Sequence, residues 1–265
     1  MDKYYTNPKI AEQCCSIISK IIQINYEDDL IIEPSAGNGA FIQPIKKLCK
    51  NCIFFDIAPE NKNIKQQDFL TVSAKDIVNG KKIHVIGNPP FGFKGSFAIK
   101  FIKHASSFCD TFSFILPKSF AKDSMKRSIP PQFHLLYSVS LPDNSFHYNK
   151  EVYNIPCIFQ IWEKRGHLRR TKNKLLPVGY KFVNDWKDAD LAIRRVGSLA
   201  GNIYFDNLET KNANSHYFLK LDKKHYKRNI HNISLKSNDY VVGPRSISKC
   251  DIISKLNKII FGGSN

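Results

Sequence analysis

One short motif has the residue types needed for group transfer to a nitrogen atom. The letters GNPPF occupy 87–91 and follow the mostly apolar segment IHVI, 83–86. Two consecutive prolines restrict two backbone φ angles and remove two amide donors. The directions of the main-chain carbonyls in this segment are therefore restricted as well. The Asn88 side-chain oxygen and the Pro89 carbonyl could each accept one hydrogen of an exocyclic amino group and draw its nitrogen toward tetrahedral geometry. These acceptors would also stabilise the positive charge that grows on nitrogen during methyl transfer.

Two aromatic residues could hold the base that carries such an amino group. Phe91 ends the motif and can stack on the base, and Phe146, in LPDNSFHYN, could cover its other face. Stacking on an aromatic ring contributes about 1–3 kcal/mol, which offsets part of the cost of unstacking the base. The alternative, purely structural explanation is that NPPF forms an ordinary turn after a strand. The predicted catalytic residues are Asn88, Pro89, Pro90 and Phe91.

An earlier segment has the pattern of a nucleotide-binding turn. The apolar residues 30–32 and Glu33 lead directly into PSAGNGAF, so glycines occupy the turn from a first strand into a helix. Gly37 and Gly39 would let the backbone approach a ligand. Glu33 ends the strand, and a carboxylate there suits the cationic methionine end of S-adenosylmethionine but would not suit a phosphate. The predicted cofactor residues of this turn are Glu33, Pro34, Ala36, Gly37, Gly39 and Phe41.

Two more acids end the next two strand-like segments. Asp56 could accept hydrogen bonds from both ribose hydroxyls of an adenosyl group, with Ile57 against the adenine. Asp68 could accept one from the adenine amino group, with Phe69 beside the ring. Each acid alone is explained equally well as a surface or capping carboxylate. Three acids after three successive strands favour S-adenosylmethionine as cofactor, with S-adenosylhomocysteine as product and no metal expected.

Alternating helical and strand patterns over residues 1–163 predict an α/β fold with an open, mostly parallel sheet. Continuous apolar runs favour strands that are buried on both faces. The predicted strands are 30–33, 52–56, 83–87, 111–116, 134–141 and 155–162. The predicted helices are 10–24, 40–48, 97–107 and 119–126. Beyond residue 164, short strand-like pieces lie at 178–183, 202–207, 215–221 and 239–244, and a final helix is predicted around 252–260.

The chain resembles the amino-methyltransferases of the class I Rossmann-like fold and, in motif order, the gamma-type N6-adenine DNA methyltransferases. The motifs are YTNP, EPSAGNGAF, FFDIAP, QDFL, GNPPFG and FILPKSF within residues 4–120, followed by LPDNSF. The resemblance implies a seven-stranded sheet whose last strand, 155–162, is antiparallel. It also implies that Tyr5, Thr6 and Pro8 close over the methionine part of the cofactor, with Asn88 nearby. Phe at position 91 also occurs in N6-adenine methyltransferases of structured RNA, so RNA stays open beside DNA.

The excess positive charge lies toward the carboxyl terminus. Of the formal charge of +17, residues 164–265 contribute 21 Lys and Arg against 8 Asp and Glu. Such a segment favours a polyanionic partner. We therefore divide the chain into a methyltransferase domain, 1–163, and a small basic α+β region, 164–265, for nucleic-acid binding or target recognition. The predicted nucleic-acid contacts are Arg165, Arg169, Arg170, Arg194, Arg195, Lys223 and Lys224.

The composition restricts the remaining alternatives. Seven cysteines without a framework, no signal-peptide pattern and no long apolar stretch predict a soluble intracellular protein without a membrane partner. The leading hypothesis is an S-adenosylmethionine-dependent N6-adenine methyltransferase acting on nucleic acid, with DNA preferred over RNA. The alternatives are a protein glutamine methyltransferase, a cytosine N4-methyltransferase and a non-catalytic nucleic-acid-binding module.

Overall fold

The computed structural model describes residues 4–73, 77, 81–148, 151–170, 175–222, 230, 235 and 246–261. The chain divides into two units, Met1–Thr171 and Lys172–Asn265. The strands of the first unit are β1 (Tyr5–Thr6), β2 (Leu30–Glu33), β3 (Asn51–Asp56), β4 (Lys65–Gln66), β5 (Ile83–Gly87), β6 (Thr111–Pro117), β7 (Phe133–Ser140), β8 (Phe146–Tyr148), β9 (Glu151–Tyr153) and β10 (Cys157–Lys164). Its helices are α1 (Pro8–Ile21), α2 (Ile42–Lys46), α3 (Ser96–Ala105) and α4 (Asp123–Lys126).

A seven-stranded sheet forms the centre of the first unit, in the order β4-β3-β2-β5-β6-β10-β7. Neighbours from β4 to β6 are parallel, whereas β10 is antiparallel to both β6 and β7. The prediction of a mostly parallel Rossmann-like sheet with an antiparallel last strand is therefore confirmed. That last strand lies between β6 and β7 rather than at the edge.

Successive residues of the central strands belong to different cores. Ile31 is fully buried in a core that also contains Ile18 of α1. Its neighbour Ile32 is buried in a second core that contains Ile102 of α3. Because side chains alternate across a strand, the two cores lie on opposite faces of the sheet. The apolar runs are thus buried on both faces, as the sequence predicts.

The start of α1 is set by its first residues. Asn7 is the N-cap, and its side chain accepts a hydrogen bond from Lys9 N at 3.0 Å. Pro8 occupies the first turn, where its missing N–H costs nothing. The helix therefore begins two residues before the predicted range 10–24, and it ends at Ile21 because Ile22 is extended (φ −116°, ψ 131°).

A three-stranded sheet, in the order β1-β8-β9, was not predicted from the sequence. Tyr5 pairs with His147 and Thr6 with Phe146. The N–H of Asn7 donates to Ser145 O at 2.9 Å and continues this connection. The sheet therefore ties the start of the chain to the segment between β7 and β10.

Three predicted helices have different bounds in the structure. The helix predicted over 119–126 is divided into a 3-10 turn, Lys118–Ala121, and α4, because Lys122 between them is extended (φ −73°, ψ 141°). The helix predicted over 40–48 is limited to α2, since the Gly39 turn extends to Phe41. The helix predicted over 97–107 begins at Ser96 and ends at Ala105.

The second unit contains an antiparallel sheet and a helix. Its elements are β11 (Tyr180–Val183), β12 (Leu191–Arg194), β13 (Ile203–Tyr204), β14 (His216–Leu221) and α5 (Lys249–Phe261). The strand order is β11-β14-β12-β13. Leu191, Leu219, Ile252 and Leu256 are fully buried and join the sheet to the helix. β12 was not predicted, and the predicted strand at 239–244 lies outside the described residues.

Across the described ranges of both units, no helix has the length and apolar character needed to span a membrane.

Candidate active site

A pocket of about 360 Å³ opens at the carboxyl ends of β2, β3 and β5. Ligands of open parallel sheets bind at this edge. Most of the predicted site residues line it: Tyr5, Thr6, Glu33, Pro34, Ala36, Gly37, Phe41, Asp56, Ile57, Asp68, Phe69, Asn88 and Pro90. Five predicted residues are not part of the lining: Pro8, Gly39, Pro89, Phe91 and Phe146.

The turn after β2 requires its glycines. Gly37 has a φ of +52°, and a Cβ there would lie 3.0 Å from Cε1 of Tyr5. Gly39 has a φ of +90°, and a Cβ there would lie 2.7 Å from Cδ1 of Ile42. Both positions disfavour any side chain. Gly37 therefore opens the pocket directly, whereas Gly39 shapes the turn behind it.

The carboxylate of Asp56 connects two strand ends. Its Oδ2 accepts a hydrogen bond from Gly37 N at 2.7 Å, and its Oδ1 accepts one from Ala58 N at 2.9 Å. Each carboxylate oxygen can accept more than one hydrogen bond, so both retain capacity for ligand hydroxyls. Asp56 thus fixes the glycine turn and presents acceptors to the pocket.

The side chain of Asp68 caps a 3-10 turn, Phe69–Thr71. Its Oδ1 accepts a hydrogen bond from Leu70 N at 2.9 Å. Phe69 beside it is buried, with its ring stacked 5.7 Å from that of Phe101. The capping interpretation of this acid therefore holds, and Asp68 still lines the pocket.

Glu33 is a buried acid at the end of β2. The side chain is only 2% exposed, and none of the described residues offers a hydrogen-bond donor to Oε2. Burial raises the pKa of this carboxyl well above its usual range, and the nearby Asp56 raises it further. At the end of β5, a Cβ on Gly87 would lie 3.2 Å from Glu33 Cγ, so glycine allows this close approach. A buried acceptor without a donor fits a ligand that brings cationic or hydrogen-bond-donating groups.

The amide of Asn88 has a defined orientation. Its Nδ2 donates to Thr6 Oγ1 at 3.2 Å and to the Tyr4 carbonyl at 3.4 Å. A carbonyl only accepts, so the nitrogen must face it. Oδ1 is buried and is left without a hydrogen-bond partner among the described residues. Ser35 Oγ also donates to the main-chain oxygen of Asn88 at 3.0 Å. The structure thus fixes one amide end and leaves an acceptor for an amino group.

The two predicted stacking aromatics contact each other. The rings of Phe91 and Phe146 meet edge to face, with centroids 6.5 Å apart. Phe146 is 1% exposed and packs in a core. The Phe91 carbonyl accepts a hydrogen bond from Phe97 N at 3.1 Å, at the start of α3. Stacking of Phe91 and Phe146 on a base remains a prediction.

The sequence interpretation missed several pocket residues. Phe97 and Phe101 are four positions apart on α3 and line the pocket together. Helical spacing of i and i+4 places such residues on one face, and this signal could have identified them. Glu60 does not line the pocket, but its contacts with two lining residues were also missed: it accepts a hydrogen bond from the Tyr5 hydroxyl, and its N–H donates to Gly37 O at 3.0 Å. The other missed lining residues are Tyr4, Ser35, Asn38, Ala40, Ala58 and Leu70.

Arg169 was predicted to contact nucleic acid but is part of the packed structure. Its guanidinium donates to the carbonyls of Lys126 at 2.9 Å, Ile129 at 3.2 Å and Phe133. It also lies 5.1 Å from the centroid of the Trp162 ring. Burial lowers the pKa of this side chain. These contacts give Arg169 a structural role, and its contact with nucleic acid remains a prediction.

The other predicted arginines differ in exposure. In the first unit, Arg165 is exposed and pairs with Glu163 at 3.0 Å, and Arg170 is also exposed. In the second unit, Arg194 Nε donates to Val196 O at 3.0 Å. Arg195 lies 5.0 Å from the centroid of the Tyr217 ring. The remaining predicted contacts, Lys223 and Lys224, lie outside the described residues.

Within the described part of the chain, His, Cys, Asp and Glu form no group of three or more that could hold a metal ion. The pocket instead combines a glycine turn, acids after β2 and β3, and an Asn-Pro-Pro motif after β5. With the sheet order above, these features define a class I S-adenosylmethionine-dependent methyltransferase domain, and the buried acceptor of Glu33 fits that cofactor.

The chain belongs to the family described as the EDM2 methyltransferase-like domain, whose model matches residues 27–173. Protein ENHANCED DOWNY MILDEW 2 of Arabidopsis thaliana is 29% identical over 114 residues, which is 40% of this chain and 9% of that protein. The chain thus corresponds to a small part of that relative.

Solved structures with a similar fold include the 23S rRNA methyltransferase ErmE, at 15% identity and a TM-score of 0.47 over 64% of this chain and 73% of that one. A dimethyladenosine transferase from Plasmodium falciparum matches at 14% identity and a TM-score of 0.42, over 62% of this chain and 64% of that one. Identities this low give no information about the substrate of this chain.

Proposed function

We propose that this protein transfers a methyl group from S-adenosylmethionine to the N6 amino group of an adenine in a polynucleotide. The observation that carries the proposal is the fixed amide of Asn88, whose buried Oδ1 has no partner among the described residues while Nδ2 is held by Thr6 and Tyr4. Membership in a methyltransferase-like family supports the reaction class.

The residues around the pocket fit the cofactor group by group. Asp56 would accept hydrogen bonds from the ribose hydroxyls, and Glu33 would face the cationic methionine end. Asp68 would accept a hydrogen bond from the adenine amino group, with Ile57 and Phe69 beside the ring. When bound, the cofactor supplies a methyl group activated by a positively charged sulfur.

The chemistry requires acceptors more than a strong base. The lone pair of an adenine amino nitrogen is delocalised into the ring, so the nitrogen is a poor nucleophile. Asn88 Oδ1 and the Pro89 carbonyl would each accept one amino hydrogen, which concentrates the lone pair on nitrogen. They would also stabilise the charge that develops there. A C–N bond forms as the C–S bond breaks, and the nitrogen then releases one proton to solvent.

Charge supports a polynucleotide as the partner. Residues 164–265 carry 21 basic against 8 acidic residues, and phosphate neutralisation favours binding through counterion release. The acceptors of Asn88 and Pro89 would serve adenine in DNA and in RNA equally. An experiment with both polymers is therefore needed to distinguish a DNA substrate from an RNA substrate.

The test uses purified protein and cofactor labelled in the methyl group. Parallel reactions contain duplex DNA, single-stranded DNA, structured RNA and a protein extract, with Asn88→Ala in each as a control. We expect label in nucleic acid with the wild type and none with the variant, although the variant still binds cofactor. Label in protein alone would support glutamine methylation. Cofactor binding with no label in any polymer would leave a non-catalytic binding module.

A further inference from the structure

Phe93 is an aromatic residue that projects into solvent. Its side chain is 81% exposed, whereas the other phenylalanines of this region are buried or half-buried: Phe91, Phe97, Phe101 and Phe120. A single exposed apolar ring is common on a protein surface, so its role has to be judged from the backbone and the charges around it.

The backbone around Phe93 is built to hold the ring outward. Gly92, Lys94 and Gly95 all have positive φ angles, of +65°, +52° and +79°. A Cβ on Gly92 would lie 2.3 Å from Phe97 Cδ2, and one on Gly95 would lie 2.9 Å from Phe120 Cε2. Left-handed backbone at a non-glycine residue such as Lys94 is uncommon and persists only when the surroundings impose it. We call residues 92–95 the Phe93 loop.

The Phe93 loop joins two parts of the pocket wall. Pro90 lines the pocket just before the loop, and Phe97 lines it just after. The Phe91 carbonyl accepts hydrogen bonds from Phe97 N at 3.1 Å and Ala98 N at 3.4 Å, which closes the base of the loop. The exposed ring is thus carried by the same segment that presents Asn88.

The surface around the Phe93 loop is positively charged. The ammonium group of Lys94 lies 4.9 Å from the centroid of the Phe93 ring. Phe120 and Met125 are the side chains nearest to Gly95, and they belong to residues 118–127. That segment, KSFAKDSMKR, contains four basic residues and one acid. It follows the carboxyl end of β6, at the same sheet edge as the pocket.

We propose that Phe93 stacks on the base of a nucleotide next to the target adenine, while the neighbouring basic residues contact the strand's phosphates. This inference rests on the proposed function. An exposed ring beside cations, in a segment next to the pocket, is the combination that binds unpaired strands, because every base has a face for stacking. A strand that places one adenine in the pocket loses the stack between that adenine and the neighbouring base. The Phe93 ring then stacks on the neighbouring base in place of the adenine.

The test measures binding and methyl transfer with a single-stranded adenine oligonucleotide, as DNA and as RNA. Phe93→Ala should weaken oligonucleotide binding about fivefold to 150-fold, the loss expected for one base–aromatic stack. Phe93→Trp should restore binding, and Phe93→Leu should not, because leucine is apolar but has no ring. The cofactor dissociation constant and the melting temperature should stay unchanged, since Phe93 is exposed.

Tyr26→Ala is the matched control. Tyr26 is 48% exposed and precedes β2 at the opposite end of the sheet from the pocket. Oligonucleotide affinity equal in Phe93→Ala and Tyr26→Ala would overturn the stacking proposal. Equal affinity of Phe93→Leu and wild type would overturn it also, because the contact would be merely apolar. If the wild type methylates no nucleic acid, the proposed function fails, whereas stacking is still judged from the binding data.

Discussion

Substitution of Glu33, the buried acid at the end of β2, should change both the free energy of unfolding and the affinity for the cofactor, and the two effects can be measured separately. Glu33 is 2% exposed, and burial raises its pKa well above the ordinary 4.5. Between 4.5 and the raised pKa, the folded protein holds a proton here that the unfolded chain has released. The free energy of unfolding therefore falls as pH rises through this interval, with a slope of at most about 1.4 kcal/mol per pH unit for one proton.

Glu33→Gln removes this titration. We expect the free energy of unfolding of the variant, minus that of the wild type, to increase with pH until the raised pKa is passed, and then to level off. Urea denaturation at a series of pH values measures the difference. Glu12→Gln, at an exposed position of α1, controls for removal of a charge outside the pocket.

The same substitution should weaken cofactor binding. A cationic ligand favours the ionised form of Glu33, so binding to the wild type should release up to one proton, and affinity should rise with pH over the same interval. Loss of a hydrogen bond to a charged group costs about 1.5–3 kcal/mol, which corresponds to roughly a 10-fold to 150-fold rise in the dissociation constant. Calorimetry in buffers of different ionisation enthalpy measures both quantities. Equal proton release and affinity in Glu33→Gln and wild type would refute this role for Glu33.

Three further substitutions test the structural roles. Asp56→Asn places an amide NH₂ against the N–H of either Gly37 or Ala58, so the free energy of unfolding should fall by about 1–3 kcal/mol. Calorimetry should also show weaker cofactor binding. Wild-type values for both stability and cofactor binding would contradict the assignment. Gly39→Ala puts a side chain at φ +90° and should lower the urea midpoint by an amount equivalent to about 1–3 kcal/mol, and an unchanged midpoint would mean that the turn adapts. Arg169→Lys should lower the melting temperature because lysine cannot reach three carbonyls in the same geometry; lower nucleic-acid affinity at an unchanged melting temperature would restore the original prediction.

The local parts of the fold and site were predictable from the sequence. The strand bounds of β2 and β5 follow from short runs that are apolar except for Glu33 and His84, and the residues just after them lie at one sheet edge because parallel strands end together. The glycine turn and the Asn-Pro-Pro motif therefore meet in the pocket, as their positions in the chain predicted.

Non-local contacts were not predictable in the same way. The pairing of Thr6 with Phe146 joins segments 140 positions apart. β1 has only two residues and β8 only three, and neither has a strand-like sequence pattern. This pairing determines how Thr6 reaches the amide of Asn88. The structural role of Arg169 depends on three carbonyls from other segments, so its charge alone could not indicate that role.

The central claim is transfer of a methyl group to an adenine amino nitrogen, and analysis of the methylated nucleoside tests it most directly. Nucleic acid methylated by the wild type is digested to nucleosides and separated, with Asn88→Ala as the matched reaction. We predict that the label is in N6-methyladenine and that it is absent with the variant, which still binds cofactor. Label in N4-methylcytosine, in a ring-nitrogen or sugar methyl group, or equally in both reactions would contradict the claim.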